Sequence, residues 1–191
     1  MEQSFWAKNK VLLIIIAVVV VVALWGVGSY NSFVSLSQGI DGQWAQVETQ
    51  YQRRFDLIPN LVSSVQGAMK QEQKIFGDLA LARTRYSGAG SVNDKASAAT
   101  QVEGALSRLL VVMENYPQLK SSETVQTLMS QLEGSENRVS VERGRFNDSV
   151  RVYNTKVKTV PSSLIANMFG FDARSYFEAA AGAENAPKVN L

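Results

Sequence analysis

The side chains that most often carry out chemistry in proteins are scarce in this chain. It contains no histidine and no cysteine among its 191 residues. A Ser-His-Asp or Cys-His nucleophile is therefore excluded within the chain, and so is a zinc site built on cysteine or histidine. A di-iron bundle of the Glu-x-x-His type is excluded for the same reason. We expect a protein that is not an enzyme and that uses no cofactor.

Two further patterns match a ligand site only in part. Glu133 and Glu136 lie three residues apart, so a helix would place both carboxylates on one face, as a Ca²⁺ or Mg²⁺ site needs. Such pairs are more often solvated surface, and we predict no metal there. Gly88-Ala89-Gly90 lacks the strand, the lysine and the spacing of a phosphate-binding loop, so we predict a turn.

The densest group of polar side chains surrounds a proline in an apolar helical pattern. We single it out as a kink or interaction motif, formed by Arg53, Arg54, Asp56, Pro59 and Asn60. Proline in a helix removes one backbone hydrogen bond. Either the arginine and asparagine side chains satisfy the freed carbonyls of a kink, or the group forms a contact surface for another subunit or protein.

Two other polar segments have a structural interpretation. We predict a helix-corner motif, in which a helix stops and the chain turns, at Glu114, Tyr116, Pro117 and Lys120. The stretch from Arg138 to Lys158 is rich in basic residues. It reads either as a solvated face with pairs four residues apart or as a basic surface next to anionic lipid.

A long apolar run near the N-terminus indicates that these groups belong to a chain tethered to a membrane. The run from Val11 to Val27 holds no charge and no proline, and at about 1.5 Å per helical residue it reaches roughly 26 Å, near the hydrocarbon thickness of a bilayer. We predict a transmembrane helix over 11–30, after a short flank at 1–10. The membrane-spanning residues include Val11, Leu12, Val20, Leu24, Trp25 and Val27.

A cleaved secretory signal is the alternative for this run, with Gly26-Val27-Gly28 as the cleavage region.

The orientation of the span follows from the charges that flank it. Lys8 and Lys10 precede the run and the next basic residue is Arg53, so the positive-inside rule places the N-terminus in the cytoplasm. Small residues in the span would let helices pack closely: Ala17, Ala23, Gly26, Gly28 and Ser29.

The remaining chain has the periodicity of helices. Apolar residues recur every three or four positions from Tyr30 to Leu79, in phase with the membrane run. Pro59 either kinks this helix or stands in the first turn of a new one with Asp56 as N-cap. Further helices are predicted to end near Tyr86, to span 93–116 and 122–158, and to leave short amphipathic pieces at 164–169 and 176–177.

Long helices with short connections form antiparallel bundles. We therefore predict an all-α protein, in which the N-terminal transmembrane helix continues into an antiparallel, four-helix-type bundle. The bundle domain would cover 31–178 and a flexible tail 179–191. The chain carries 19 basic and 17 acidic residues, and this near balance argues against nucleic acid as a partner.

At these motifs the chain resembles the LemA family of bacterial membrane proteins. The resemblance runs from the anchor to about Phe177 and is carried by Tyr30-Asn31, Trp44, Arg53 to Val62, Ala82-Arg83, Glu114 to Lys120, Glu136-Asn137, Arg145-Phe146-Asn147, Tyr153-Asn154 and Pro161. The chain departs from the family at Gln71-Glu72, where a His-Glu pair is frequent, and at Phe55 and Phe146, where tyrosine is frequent.

The resemblance implies a single N-terminal span, a helical bundle and no established catalytic activity. Some members are assigned an N-out orientation, opposite to the charge-based prediction. The resemblance implies the inner membrane of a bacterial cell, and the charge-based prediction puts the bundle on the periplasmic side. We expect membrane lipid and further copies of the chain as partners, in a homo-oligomeric scaffold that organises or remodels the membrane. The alternative is a monomeric adaptor for another membrane protein, such as a protease.

Overall fold

The structure is a computed structural model that describes residues 2–177, with the side chains of residues 2–8 and of Lys120 outside that description. All regular secondary structure within this range is helical, which confirms the predicted all-α class. The predicted tail at 179–191 lies outside the described residues. The helices are α1 (Glu2–Val65), α2 (Gln73–Gly88), α3 (Val92–Met113), α4 (Pro117–Lys120), α5 (Glu123–Lys158) and α6 (Ser162–Phe169).

Helix α1 contains the apolar run and passes through Pro59 without ending. Of the two geometries left open by the sequence, the structure therefore has the continuous helix. The helix ends instead at Val65, and Gln66 to Glu72 form a turn. The sequence pattern did not predict this turn. Met69 lies inside the turn and is fully buried, so it keeps the three-to-four spacing of the apolar stripe. The sequence predicted helix through this region up to about Tyr86, with a kink or a restart only at Pro59, and the break at 66–72 corrects that prediction.

The described chain divides into two compact units, each with its own contacts. The bundle unit comprises Gly42–Asp148 together with the segment from Ser175 onward. The anchor unit comprises the chain up to Asp41 together with Ser149–Arg174. Helices α1 and α5 each contribute residues to both units.

The bundle unit consists of four main helices in an up-down-up-down order. Helix α5 runs antiparallel to α1, since Gln43 contacts Glu142 whereas Arg54 contacts Glu136. Helix α3 runs parallel to α1, because Lys95 pairs with Glu48 and Glu103 lies near Arg54. Helix α2 packs antiparallel against α3 after a short turn at 89–91, whose Ser91 side chain caps the α3 N-terminus by accepting from the Asp94 N–H at 3.1 Å.

The core of the bundle unit is apolar and densely aromatic. The ring centroids of Phe55 and Tyr86 are 4.6 Å apart, and those of Tyr51 and Phe55 are 5.5 Å apart. Trp44 packs edge-on against Phe146 at 5.5 Å. Large side chains with little or no exposure complete the core: Val47, Leu61, Val65, Leu79, Val102, Leu106, Leu109, Leu132 and Val139. Burial of this apolar surface stabilises the packing of the helices.

The anchor unit packs α6 and the last turns of α5 against α1. Phe33 meets Tyr153 with ring centroids 6.1 Å apart and stacks on Phe171 at 4.9 Å. The chain reverses after α6 at Gly170, whose φ of 73° is left-handed and favours glycine. This reversal brings Phe171 back against α1.

The second of the two predicted amphipathic pieces is not a helix. Residues 171–177 have no regular secondary structure, although Phe177 is buried as an inward residue of such a piece would be. Two asparagines of α5 hold this segment instead. Within the anchor unit, Asn154 accepts from the Arg174 N–H and donates to its carbonyl, both at 2.8 Å. Within the bundle unit, Asn147 does the same for Phe177, at 2.8 and 3.0 Å.

Candidate functional site

The apolar run of α1 is bare within the described chain. Among the six predicted membrane-spanning residues the exposed fraction ranges from 39% at Trp25 to 69% at Leu24. In the described part of the chain, the helix that carries this run is the one long and apolar enough to cross a membrane. Apolar surface left in water costs about 25 cal/mol per Å². A bilayer removes that cost, so this surface fits lipid.

A second feature is a cluster of charges inside the bundle unit, which we call the charge cluster: Tyr51, Arg54, Glu103, Glu136 and Arg143. Arg54 is buried, with a side chain 10% exposed. Its guanidinium pairs with Glu136 of α5 and lies 3.6 Å from Glu103 Oε1 of α3. One arginine of α1 thus joins three helices.

Glu103 is the centre of the charge cluster. Its Oε1 accepts hydrogen bonds from Arg143 Nη2 and from the Tyr51 hydroxyl, the latter at 3.2 Å. Arg143 also donates to the Tyr51 hydroxyl oxygen, and its guanidinium lies 4.4 Å from the centroid of the Phe177 ring. Glu103 Oε1 and the Tyr51 hydroxyl therefore each have hydrogen-bond partners on other helices. Buried polar groups need such partners.

Two tyrosines of the bundle unit are held in the protonated state. Burial raises the pKa of the Tyr51 hydroxyl well above its usual range, and the neighbouring Glu103 carboxylate adds to the rise while Arg143 opposes it. Burial, with a smaller contribution from Glu48, raises the pKa of Tyr86 to about 12. Neither phenol is therefore a base near neutral pH. The cluster has the composition of a structural ion-pair network, because positive and negative groups neutralise one another.

The structure separates the members of the predicted kink motif. Arg54 points into the bundle unit, whereas Arg53, Asp56, Pro59 and Asn60 are exposed. Asp56 accepts from Gln52 at 2.8 Å, and the Asn60 backbone carbonyl accepts from two serines one turn further along. The exposed members lie along α1 as a surface strip, and whether that strip contacts another subunit remains a prediction.

The predicted helix-corner motif lies around α4. Glu114 caps the C-terminus of α3, Pro117 begins α4, and Leu119 is buried. The Tyr116 hydroxyl lies 3.5 Å from Glu72 Oε1, at the long limit of a hydrogen bond. The backbone of Lys120 ends α4, while its side chain falls outside the described part. The arrangement joins α3 to α5.

The basic stretch of α5 does not form a single solvated face. Arg143 is turned into the charge cluster, and Arg145 forms an exposed pair with Glu142 at 2.8 Å. Glu136, which the sequence pairs with Glu133 as carboxylates on one face, is engaged by Arg54 instead. Among the described residues there is no group of three or more Asp, Glu, Cys or His that could hold a metal ion.

A groove of about 400 Å³ lies in the bundle unit between the end of α3 and the start of α5. Its apolar lining is Leu110, Val111, Met113, Val125 and Met129, with Glu114, Gln126, Ser130 and Glu133 at polar positions. Val111 is 63% exposed there. The groove could accept an apolar side-chain row of another protein.

Comparison with known proteins agrees with this picture of an anchored helical protein. The model of the LemA family matches residues 43–191. Two relatives from Paramagnetospirillum magneticum, the magnetosome proteins MamQ 1 and MamQ 2, are each 27% identical over 175 residues, covering 78% of this chain and 64% of the relative. The magnetosome protein MamQ of Magnetospirillum gryphiswaldense is 27% identical over 174 residues, with the same coverage. The chain thus spans just under two thirds of the length of these relatives.

Proposed function

The chain belongs to the LemA family, and from this premise we propose that it is a membrane-anchored scaffold that assembles from several copies of itself. In this proposal the protein has no catalytic step; it organises or remodels the membrane in which it stands. The scaffold acts through lipid contact at its apolar run and through contacts between copies.

The observation that carries this proposal is the course of α1. The same helix presents a bare apolar run at 11–27 and then supplies buried core residues from Val47 to Val65. Helix α1 thus carries the apolar run and also contributes to the core of the bundle unit.

We place contact with another copy on one exposed face of the span. Ala17 and Gly28 are three helical turns apart and thus share a face of α1. A side-chain carbon added at Gly28 would meet nothing within 4 Å, whereas one added at Gly26 would lie 3.8 Å from Ile165 of α6. Small residues let spans approach closely in a bilayer, and the open face at Ala17 and Gly28 is where we place that approach.

Light scattering after size exclusion in mild detergent tests the assembly. The full-length protein should give a discrete mass of several copies, and Gly28→Leu should lower it because the larger side chain separates the spans. Gly39→Leu is the matched control, since Gly39 is also open on α1 but lies beyond the predicted span. A monomer at all concentrations would contradict the scaffold, and an unchanged mass for Gly28→Leu would contradict this face.

From the family membership we place the span in the inner membrane of a bacterial cell. We place the bundle on the periplasmic side because Lys8 and Lys10 precede the run. The absence of cysteine makes this testable with single-cysteine variants. In intact cells, a membrane-impermeant maleimide that enters the periplasm should label Ser97→Cys of the bundle unit and leave Asn9→Cys unlabelled until the cells are opened. The reverse pattern would contradict the orientation.

The groove between α3 and α5 favours a second candidate, an adaptor that presents its bundle to another membrane protein. An apolar helix face is the occupant that its lining fits. This adaptor would be monomeric, and Val111→Asp would abolish capture of its partner. The mass measurement separates the two candidates, because the scaffold requires several copies and the adaptor requires one.

A further inference from the structure

Helix α6 presents apolar side chains to its surroundings. Leu164 is 62% exposed and Met168 is 72% exposed, one turn apart on the same face, and Val160 just before the helix is 82% exposed. The opposite side is used for packing, since Ile165 and Ala166 are buried. A helix of only two turns in a water-soluble protein would bury its large apolar side chains on one side and present polar ones on the other.

Within the anchor unit, α6 packs beside the end of the apolar run of α1. Ile165 reaches Gly26 in the last turn of the apolar run, and the rings of Phe169 and Tyr30 lie 5.0 Å apart. The exposed face of α6 is therefore adjacent to the membrane-spanning surface of α1. A bilayer that covers α1 up to this level also reaches Leu164 and Met168.

Charged groups beside α6 match the headgroup region. Lys156 and Lys158 lie in the last turn of α5. The Lys156 ammonium is held 5.0 Å from the centroid of the Phe33 ring, and Lys158 is exposed. Cations at the edge of an apolar surface are attracted to anionic lipid headgroups.

We propose that α6 is a second membrane contact, a short helix lying in the interface with Val160, Leu164 and Met168 among the lipid chains and with Lys158 at the level of anionic headgroups. This inference rests on the membrane anchor in α1 and does not require self-assembly. Its consequence is that the anchor unit is held to the bilayer at two places, which limits rotation of α1 about its own axis.

Depth-dependent fluorescence quenching tests this placement on the full chain. The chain has no cysteine, so Leu164→Cys and Met168→Cys each take a single environment-sensitive label. The labelled protein is reconstituted into vesicles of phosphatidylethanolamine and phosphatidylglycerol, with and without spin-labelled lipid. Two reference variants are Val20→Cys in the span and Val111→Cys, which is similarly exposed but lies in the bundle unit.

We expect a blue-shifted emission at positions 164 and 168 and quenching by spin-labelled lipid several-fold stronger than at position 111. Water-exposed emission at 164 and 168, with Val20→Cys quenched, would overturn the proposal while leaving the anchor intact. Absence of quenching at position 20 would overturn the anchor and this proposal together. Blue-shifted emission without lipid quenching would show a protein contact, such as a second copy, and would also overturn it.

The headgroup part of the proposal has its own readout. In vesicles of phosphatidylcholine alone, quenching at Met168→Cys should weaken relative to that at Val20→Cys. The substitution Lys158→Gln should produce the same weakening in vesicles that contain phosphatidylglycerol. The role of anionic lipid would be overturned if quenching at position 168 were the same in both kinds of vesicle and were unchanged by Lys158→Gln.

Discussion

Glu103 is the residue on which the buried charges of the bundle unit converge. It accepts hydrogen bonds from Tyr51 and Arg143, and Arg54 lies 3.6 Å away. An ion pair inside a protein adds little net stability over an apolar pair of the same shape, yet removal of one partner is costly because it strands the other charge. The charge cluster therefore acts chiefly by making one arrangement of α1, α3 and α5 more stable than other arrangements of these helices.

The substitution Glu103→Gln tests this role. The amide keeps the shape of the side chain but leaves Arg143 without its carboxylate, so we expect a loss of about 3 kcal/mol in the free energy of unfolding. The measurement is denaturant unfolding of the full-length protein in mild detergent. The control Glu133→Gln, at an exposed carboxylate of α5, should change stability by less than about 0.5 kcal/mol. Equal effects of the two variants would contradict the account of the charge cluster.

Tyr86 predicts a dependence of stability on alkaline pH. Its hydroxyl is buried and has no hydrogen-bond partner among the described residues, and its pKa is raised from 10.0 to about 12. The folded state therefore keeps a proton that the unfolded state releases, and stability is lost as the pH rises from about 10 towards 12. Tyr86→Phe should remove this part of the loss and leave stability near neutral pH unchanged. Unfolding curves of both proteins across that range check it, and parallel losses would contradict it.

The sequence carried only part of the information about the charge cluster. Arg143 interrupts the apolar stripe of α5, as the buried Ser135 also does, and a charged residue at an inward position indicates a partner on another helix. The partner itself was not predictable, because Glu103 lies 40 residues away on another helix. Arg54 belongs to the dense group of polar residues around Pro59, which suggested a local role. In the structure it pairs instead with Glu136, which is distant in the sequence.

At the scale of single elements, the α1 helix is notable for its continuity at Pro59. Proline lacks the N–H that would donate to the carbonyl of Phe55, so this helix has one hydrogen bond fewer. Val47 to Val65 nevertheless remain in helical register, with inward residues buried on both sides of Pro59. Packing in the bundle unit outweighs the local cost of the proline.

The substitution Pro59→Ala should therefore stabilise the protein. The side chain is exposed, and alanine restores the missing donor in a helix that is already formed, with a gain of about 1 to 3 kcal/mol. Thermal unfolding followed by circular dichroism in detergent measures the gain, and Asn60→Ala serves as the neighbouring exposed control. A loss of stability in Pro59→Ala would show that the proline belongs to a break in the helix.

Helix boundaries were predictable where turn residues and periodicity agree. The predicted helices at 93–116 and 122–158 match α3 (Val92–Met113) and α5 (Glu123–Lys158) closely, because a glycine-rich turn and prolines mark their ends. The turn at 66–72 was missed because Met69 is buried inside it in phase with the helices on either side. The segment at 176–177 was predicted as helix from two aromatic residues alone, and hydrogen bonds from Asn147 hold it in another conformation.

At the scale of the whole molecule, α1 carries the apolar run and contributes residues to both units. The apolar run and the family membership were both readable from the sequence, because a span requires only composition and length. Assembly into a scaffold depends on which faces of the span remain open. That property follows from the packing of α6 beside Gly26, which the sequence did not reveal.

Disulfide cross-linking between spans in native membranes tests the central proposal most directly. Gly28→Cys places a thiol on the open face of the cysteine-free chain, and Gly26→Cys places one on the face that Ile165 occupies. On mild oxidation, we expect Gly28→Cys to form a covalent dimer efficiently and Gly26→Cys to remain largely monomeric. Failure of Gly28→Cys and of Ala17→Cys to cross-link at native expression levels would contradict a scaffold assembled through this face.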